Sequence, residues 1–323
     1  MADILSEPRF NDPDAARNFL EAQRWPTGKA DCPHCGECEI GYRLTPKPGS
    51  STRKGVWKCG ACRKQFTVTV NTIFSDSHIA LNVWLKAIHF LCASKKGMSA
   101  HQLHRMLGIT YKSAWFMAHR IRYSMTQEPL SSKLDGIVEV DETYVGGKRR
   151  DPGFTRKPGE RPIDRPGPFE GKAPVVSVLQ RGGRVQSLHV ERVTSTTLKP
   201  IIKQMVDDAA HLMTDTSTVL RNMKRDGTAK HSLVNHRRGE YSRIEEGVVI
   251  STNTVEGYFS ILKRGINGVY HHVGKQHLHR YLAEFDFRYN SRSEPDAVRA
   301  AMALGQTKGK RLMYRDSCGK KKA

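Results

Sequence analysis

The sequence lacks any apolar run of about 18 residues, the length that a membrane-spanning helix requires. It also lacks the features of a secretion signal, because the first ten residues are polar and partly acidic, with no cationic start and no apolar segment. Internal repeats are absent as well. We therefore expect a protein that stays inside the cell, in the cytoplasm.

Acidic residues are scarce relative to basic ones, with 32 Asp and Glu against 53 Lys and Arg, a net charge of +21. This excess is more than solubility requires, and it predicts a polyanionic partner, most simply nucleic acid. A merely basic surface or a membrane-surface protein is the alternative, but no basic amphipathic helix stands apart. The 323 residues, 38% of them apolar, predict two or three folded units.

Four of the seven cysteines form two close pairs within residues 30–75, a stretch of Gly, Cys and Pro with short β-like runs. In a long cytosolic chain, this spacing indicates metal ligation rather than disulfides. Each Cys-x-x-Cys turn brings two thiolates to one tetrahedral zinc ion. Cys38 is a rival partner for Cys35, and His34 is an alternative ligand. The predicted zinc ligands are Cys32, Cys35, Cys59 and Cys62.

A helical apolar period begins at Ile79 and continues to Met125, after a first short helix predicted at 12–24. A break at Gly108 separates two of these helices, and Ser99 and Thr110 are predicted to cap them. The pair resembles a helix-turn-helix, in which the second helix enters the major groove. An ordinary helical hairpin is the alternative. In the first interpretation, the residues that face DNA are Lys112, Ser113, His119, Arg120 and Arg122.

The C-terminal half alternates predicted strands and helices, which indicates a mixed α/β sheet. A Pro/Gly-rich basic stretch at 146–174 is too long for regular structure and is expected to be a functional loop or disordered. The predicted elements are a strand at 137–142, a hairpin turning at Arg181-Gly182-Gly183-Arg184, a helix at 196–209, a strand at 212–214 and helices at 251–266 and 277–289.

Three acidic residues in this half lie where metal chemistry would need them. Asp141 lies on a predicted strand, Asp215 ends another, and Glu256 begins a helix, so the three could meet at one sheet edge. Hard oxygen ligands favour Mg²⁺ or Mn²⁺, and two such ions about 3.5–4 Å apart can support phosphoryl transfer. Acids at strand ends are common in α/β proteins, so solvated carboxylates are the alternative.

Helix periodicity distinguishes Glu256 from its neighbours. Residues on one stripe of this helix, Val255 and Leu262 among them, must face the core, and Glu256 lies beside that stripe near the helix N-terminus. From there it can reach the sheet edge. The acids that this argument disfavours are Glu240, Glu245 and Glu246.

Several ordered blocks together resemble a known family. They are Cys32-Pro33-His34-Cys35, Lys58 to Phe66, Asn71 to Phe74, Val140 to Lys148, Val234-Asn235-His236, Gly239-Glu240-Tyr241, Thr252 to Glu256, Leu262 to Gly265 and Gly268 to Val273. From about residue 20 to residue 292, the chain is similar to the ISXO-type bacterial insertion-sequence transposases. The resemblance implies a zinc ribbon, an RNase H-like core and an Asp-Asp-Glu triad that cuts and joins DNA with divalent metal ions.

On the matching positions, the triad is Asp141, Asp215 and Glu256. The family usually continues the second acid with Gly and an aromatic residue, whereas this chain has Thr216-Ser217, and Ser251 stands where His is common. Asp207 and Asp208 are the fallback candidates for the second acid. Glu142 is expected to position the others, and the residues expected to hold phosphates are Lys263, Arg264, His271, His272 and Lys275.

We therefore predict a multidomain α/β protein: an N-terminal helix and zinc ribbon at 1–78, a helical DNA-binding segment at 79–130, an RNase H-like catalytic domain at 131–295 and a basic tail at 296–323. The predicted function is a DNA transposase, associated with the nucleoid and forming a homo-oligomer when it pairs two element ends. The rival functions are a non-catalytic DNA-binding regulator derived from a transposase and a stand-alone nuclease.

Overall fold

The structure is a computed structural model that describes residues 4–45, 49, 53–126, 132–146, 171–216 and 230–317. It divides into two compact units, one formed by residues 1–126 with 291–323 and the other by residues 127–290. The region predicted at 1–78, the helical segment predicted at 79–130 as far as residue 126, and the tail predicted at 296–323 belong to the first unit. Most of the predicted loop at 146–174, along with Ser217 and Cys318, lies outside the described residues. Among the described helices, none combines the length and apolarity needed to span a membrane.

The first unit begins with helices and a small sheet. Asp12 caps the second helix by accepting hydrogen bonds from the N–H groups of Asp14 and Ala15, which confirms the predicted start. Among the short β-like runs expected within residues 30–75, the one at 65–70 pairs only over its first two residues. The elements are α1 Pro8–Asn11, α2 Pro13–Arg24 and the antiparallel strands β1 Gly41–Arg43, β2 Trp57–Cys59 and β3 Gln65–Phe66.

Three further helices confirm the predicted helical period: α3 Leu81–Ala93, α4 Ala100–Leu107 and α5 Tyr111–Ser124. The hydroxyl of Ser99 accepts from the N–H of Gln102, and that of Thr110 accepts from the N–H of Ser113. Gly108 ends α4 with a φ of +65°, a backbone conformation that glycine adopts without strain. Both caps and the break were predicted from the sequence.

The second unit is built on a five-stranded sheet in the order β6-β5-β4-β7-β8. Strands β4, β7 and β8 are parallel, while β5 and β6 form an antiparallel hairpin at the other edge. The hairpin confirms the turn predicted at 181–184, and its strands pair Leu179 with Val185. The strands are β4 Ile137–Val145, β5 Ala173–Gln180, β6 Val185–His189, β7 His211–Asp215 and β8 Lys230–Val234.

Helices cover both faces of this sheet. Alternate residues of β5 point to opposite faces, so Val175 and Leu179 pack with α7 and α8, while Val176 and Val178 pack with α6. The helices are α6 Ser195–Met205, α7 Asn253–Gly265 and α8 Lys275–Asn290. A π-helical turn, Ile266–Tyr270, follows α7, and a hairpin of β9 Ser242–Glu245 and β10 Val248–Ser251 precedes it. Sequence analysis predicted neither β8 nor this hairpin.

After α8 the chain returns to the first unit. The region predicted as a tail contains two helices, α9 Asp296–Gly305 and α10 Tyr314–Ser317. Arg299 of α9 donates a hydrogen bond of 3.0 Å to the carbonyl of Cys92 at the end of α3, and the Lys310 ammonium donates to the carbonyls of Ser124 and Thr126. The ring of Tyr314 in α10 also packs against that of Phe116 in α5, so the region predicted as a tail is part of the packed first unit.

Candidate functional site

Parallel pairing of β4 and β7 brings three carboxylates together. Val140 pairs with Thr214, so the next residues, Asp141 and Asp215, lie side by side where the paired segments end. Oxygen atoms of Asp141, Glu142 and Asp215 all lie within 4.8 Å of one another. Sequence analysis had assigned Glu142 only a supporting place, whereas the structure puts its carboxylate inside the cluster.

Two carboxyl groups of the cluster, those of Asp141 and Glu142, have raised pKa values. Burial raises the pKa of Asp141 to about 7, and repulsion from Glu142, Asp215 and Glu256 adds to the effect, against a hydrogen bond from the Glu142 N–H. Burial and the charge of Asp215 also raise the pKa of Glu142 to about 7. Crowded carboxylates of this kind are destabilised when ionised, unless a cation lies among them.

The donor set fits a divalent cation. Glu142 Oε2 is buried, and no hydrogen-bond donor from the described part of the chain reaches it. A buried carboxylate oxygen without a partner is costly, and a hard cation that takes oxygen ligands would remove that cost. These three side chains could therefore hold a metal ion such as Mg²⁺ or Mn²⁺.

Glu256, the predicted third acid, lies near the cluster but outside it. Its Oε1 accepts a hydrogen bond of 3.0 Å from the Thr252 hydroxyl and lies 3.2 Å from His236 Nε2. It lies in the first turn of α7, as helix periodicity predicted, and its charge contributes to the raised pKa of Asp141. The structure thus brings Asp141 and Asp215 together and leaves Glu256 at the margin.

The three acids that helix periodicity disfavoured as metal ligands form ion pairs near the surface. Glu240 and Glu245 both pair with Arg243, at 2.8 and 2.6 Å, and Glu246 pairs with Lys230 at 2.7 Å.

Four cysteine thiols form the second cluster. They are the four zinc ligands predicted from the spacing of the two Cys-x-x-Cys turns, or knuckles. The sulfurs of Cys32 and Cys62 are 3.6 Å apart, those of Cys35 and Cys59 are 3.7 Å apart, and all four lie within 4.8 Å of one another. The N–H of His34 points to the Cys32 sulfur and that of Cys62 to the Cys59 sulfur, as two metal-binding knuckles require. This arrangement suits one tetrahedral zinc ion.

Thiolate formation is favoured at one of these ligands. Burial opposes ionisation of Cys59, but nearby N–H groups and thiols outweigh it and lower its pKa to about 7. The two alternative ligands lie outside the cluster: the exposed Cys38 thiol is directed to the carbonyl of Gly36, and His34 Nε2 lies 3.3 Å from the carbonyl of Gln65.

Comparison with known protein families matches both parts of the chain. Residues 11–65 match the family described as a transposase zinc-ribbon domain, and residues 133–290 match the one described as an ISXO2-like transposase domain. This chain thus contains an ISXO2-like transposase domain. All four clustered cysteines lie in the first match, and Asp141, Asp215 and Glu256 lie in the second. The transposase is also 26% identical to an uncharacterized protein in transposable element ISH50 of Halobacterium salinarum over 280 residues, 84% of this chain and 89% of that protein.

A cavity lined by basic residues lies in the second unit of the transposase. Two of its lining residues, Tyr144 and Val145, are on β4, the strand that carries Asp141 and Glu142. The cavity has a volume of about 630 Å³ and contains three of the predicted phosphate-binding residues, Lys263, His271 and His272. His271, which follows the π-helical turn, has a φ of +59°, a strained value for a residue other than glycine. The remaining lining residues are Gly146, Lys172, Ile266, Asn267 and Val273. Arg264 and Lys275 are exposed but do not line it.

The predicted DNA-facing residues of α5 divide into two groups. Lys112 is exposed and Ser113 half-buried, in the first turn of the helix. Arg120 and Arg122 are buried, 5% and 2% exposed, as is His119. Arg120 donates to the carbonyl of Ser75 and lies over the ring of Phe116, and burial lowers its pKa to about 10. The prediction that Arg120, Arg122 and His119 face DNA is therefore wrong for this conformation, since packing in the first unit covers the C-terminal half of α5.

Proposed function

We propose that this transposase cuts the ends of its insertion sequence and joins them to target DNA, using divalent cations held by the carboxylates of β4 and β7. The observation that carries the proposal is the cluster of Asp141, Glu142 and Asp215, with a buried Glu142 oxygen that lacks a hydrogen bond from the described residues. This cluster lies within an ISXO2-like transposase domain. Mg²⁺ or Mn²⁺ bound there would supply Lewis-acid activation of water and stabilise charge on the leaving oxygen.

Each acid has a proposed part. Asp141 and Asp215, on neighbouring strands, bind the cation, and Glu142 completes the ligand set from the end of β4. Glu256, whose carboxylate contacts the hydroxyl of Thr252 and the ring of His236, would serve the same centre from α7. These roles rest on proximity and on the raised pKa values of Asp141 and Glu142.

The fold of the second unit supports this assignment. A hairpin, a central strand and two further parallel strands, in the order β6-β5-β4-β7-β8, form the arrangement expected of an RNase H-like sheet. In such a sheet, the first acid lies on the central strand and the second at the end of the strand parallel to it, the positions that Asp141 and Asp215 occupy. We therefore propose an RNase H-like core.

DNA would contact both units. In the second unit, we propose that the cavity lined by Lys172, Lys263, His271 and His272 holds phosphates of an element end close to the carboxylates. In the first unit, the zinc ribbon would bind DNA, and the α4–α5 pair would bind it as a helix-turn-helix does, through the exposed N-terminal turn of α5. Pairing of two ends requires more than one copy, so we propose a homo-oligomer on DNA and association with the nucleoid.

The test is a strand-transfer assay with purified protein, Mg²⁺, the element's own end sequences and a target plasmid. Covalently joined products support the proposal. Cleavage without joining would instead indicate a stand-alone nuclease, and binding without either product would indicate a non-catalytic regulator. Asp141→Asn and Asp215→Asn are expected to lose both products and keep DNA binding. Asp208, a fallback candidate for the second acid, is exposed and precedes β7, at the opposite end of that strand from Asp215. Asp208→Asn is therefore the matched control and should keep cleavage, joining and DNA binding.

A further inference from the structure

A buried carboxylate, Glu139, connects the strand of Asp141 to the helix of Glu256. Side chains two residues apart on a strand share a face, so Glu139 and Asp141 are on the same side of the sheet. Glu139 is fully buried. Its Oε2 accepts hydrogen bonds of 2.9 Å from the N–H groups of Thr254 and Val255, and its Oε1 accepts one of 2.8 Å from the Thr254 hydroxyl.

Glu139 takes the place of an N-cap that α7 itself lacks. Thr252 precedes the helix but makes no capping hydrogen bond, and its hydroxyl donates instead to Glu256 Oε1. The first N–H groups of a helix have no partner within the helix. At α7, two of them depend on a side chain from β4, so the position of Glu256, one residue beyond Val255, depends on Glu139.

Arg181, in the turn between β5 and β6, holds Glu139 in this position. Its Nε and Nη2 donate to Glu139 Oε1 at 2.9 and 2.7 Å. The same guanidinium donates to the carbonyls of Val249, at 2.8 Å, and Ser251, at 3.2 Å, both on the strand that precedes α7. One ion pair therefore joins β4, the β5–β6 turn, β10 and α7.

We propose that Glu139 and Arg181 are positioning residues that set the place of Glu256 relative to Asp141, and with it the geometry in which the carboxylates hold a divalent cation. The inference rests on the proposed function, in which these acids serve metal chemistry. Stability alone does not account for the pair, because an apolar pair of similar volume avoids the cost of removing two charges from water. Residues that orient metal ligands typically change metal affinity or activity about 10–100-fold when replaced.

The test uses the double variant Glu139→Gln/Arg181→Met in the full-length, zinc-loaded protein, so that no unpaired charge remains buried. The matched control is Asp286→Asn, which removes another buried carboxylate of the same unit, one that accepts hydrogen bonds from Ser187 and Tyr258 away from the N-terminus of α7. Two quantities are measured: Mn²⁺ affinity by water-proton relaxation, and the single-turnover cleavage rate against Mg²⁺ concentration.

In the double variant, we expect Mn²⁺ affinity to fall about 10-fold and the cleavage rate to fall about 100-fold at fixed Mg²⁺. Higher Mg²⁺ should partly restore the rate, and DNA affinity should not change. The Asp286→Asn control should keep wild-type Mn²⁺ affinity. Wild-type Mn²⁺ affinity in the double variant, or an equal loss in the control, would overturn the inference. If the wild-type protein binds Mn²⁺ but cuts no DNA, the proposed function fails, and the Mn²⁺ comparison still decides the positioning role.

Discussion

Replacing Asp141 by Asn should stabilise the metal-free protein, although it should abolish catalysis. Burial and three neighbouring acids raise the pKa of Asp141 from 3.8 to about 7. Such a group contributes stability that is fully present below pH 3.8 and is lost as pH rises through 7, because the unfolded chain releases the proton more readily. At about 1.4 kcal/mol per pH unit, this loss reaches about 4 kcal/mol.

The Asp141→Asn variant cannot undergo this loss, so its stability advantage over the wild type should grow as pH rises from 3.8 and be complete above about 7. At pH 8 without Mg²⁺, we expect Asp141→Asn to raise the free energy of unfolding of the second unit by about 2–4 kcal/mol, since the amide leaves part of the desolvation cost in place. For a unit of this size, the melting temperature rises by about 5–10 °C. Near pH 4 the two proteins should have equal stability, and Mg²⁺ should stabilise only the wild type.

The assay can follow each unit separately. All four tryptophans precede residue 127, so their fluorescence follows the first unit, and hydrogen exchange in β4 and β7 follows the second. Magnesium is omitted rather than chelated, so that zinc remains in the ribbon. Asp208→Asn, at an exposed acid, serves as the control and should change nothing. A variant less stable than wild type at pH 8, or one with the same pH dependence, would refute the reasoning.

Three further outcomes follow from the structure. Cys59→Ser/Cys62→Ser should lose its zinc and unfold the ribbon while the second unit stays folded, as elemental analysis with hydrogen exchange would show; undiminished zinc would contradict the four-thiol site. DNA affinity should fall steeply with salt, and Lys263→Gln should reduce the slope of log K against log salt by about 1; a flat dependence would argue against phosphate binding. Arg120→Met should lower the melting temperature of the first unit without changing DNA affinity. Lys112→Met should lower DNA affinity without changing the melting temperature. Equal losses of DNA affinity in the two variants would contradict the burial of Arg120.

Local patterns account for what could be predicted from the sequence. Cysteine spacing identified all four clustered thiols because each knuckle is a single turn whose geometry depends on few residues. Ser99, Gly108 and Thr110 marked the ends of α4 and α5 for the same reason. Asp141 and Asp215 were found from their places on strands, and the family resemblance indicated that they belong to one site.

The missed features depend on contacts between distant residues. Strand alternation places Asp141 and Glu142 on opposite faces, so the pattern favours one of them, whereas both reach Asp215 in the cluster. The burial of Arg120 depends on contacts with the carbonyl of Ser75, 45 residues away, and with the ring of Trp84 in α3. Glu139 did leave a signal, a charge between the apolar residues Val138 and Val140 of a predicted strand, but its partner Arg181 lies 42 residues away.

Joining of DNA ends in single-turnover reactions with Mg²⁺ tests the central claim most directly, with Asp215→Asn and Asp208→Asn compared side by side. The account predicts joined products from wild type and from Asp208→Asn, and none from Asp215→Asn, although all three bind the element ends with equal affinity. Joined products from Asp215→Asn at the wild-type rate would contradict the assignment of the carboxylate cluster as the catalytic centre.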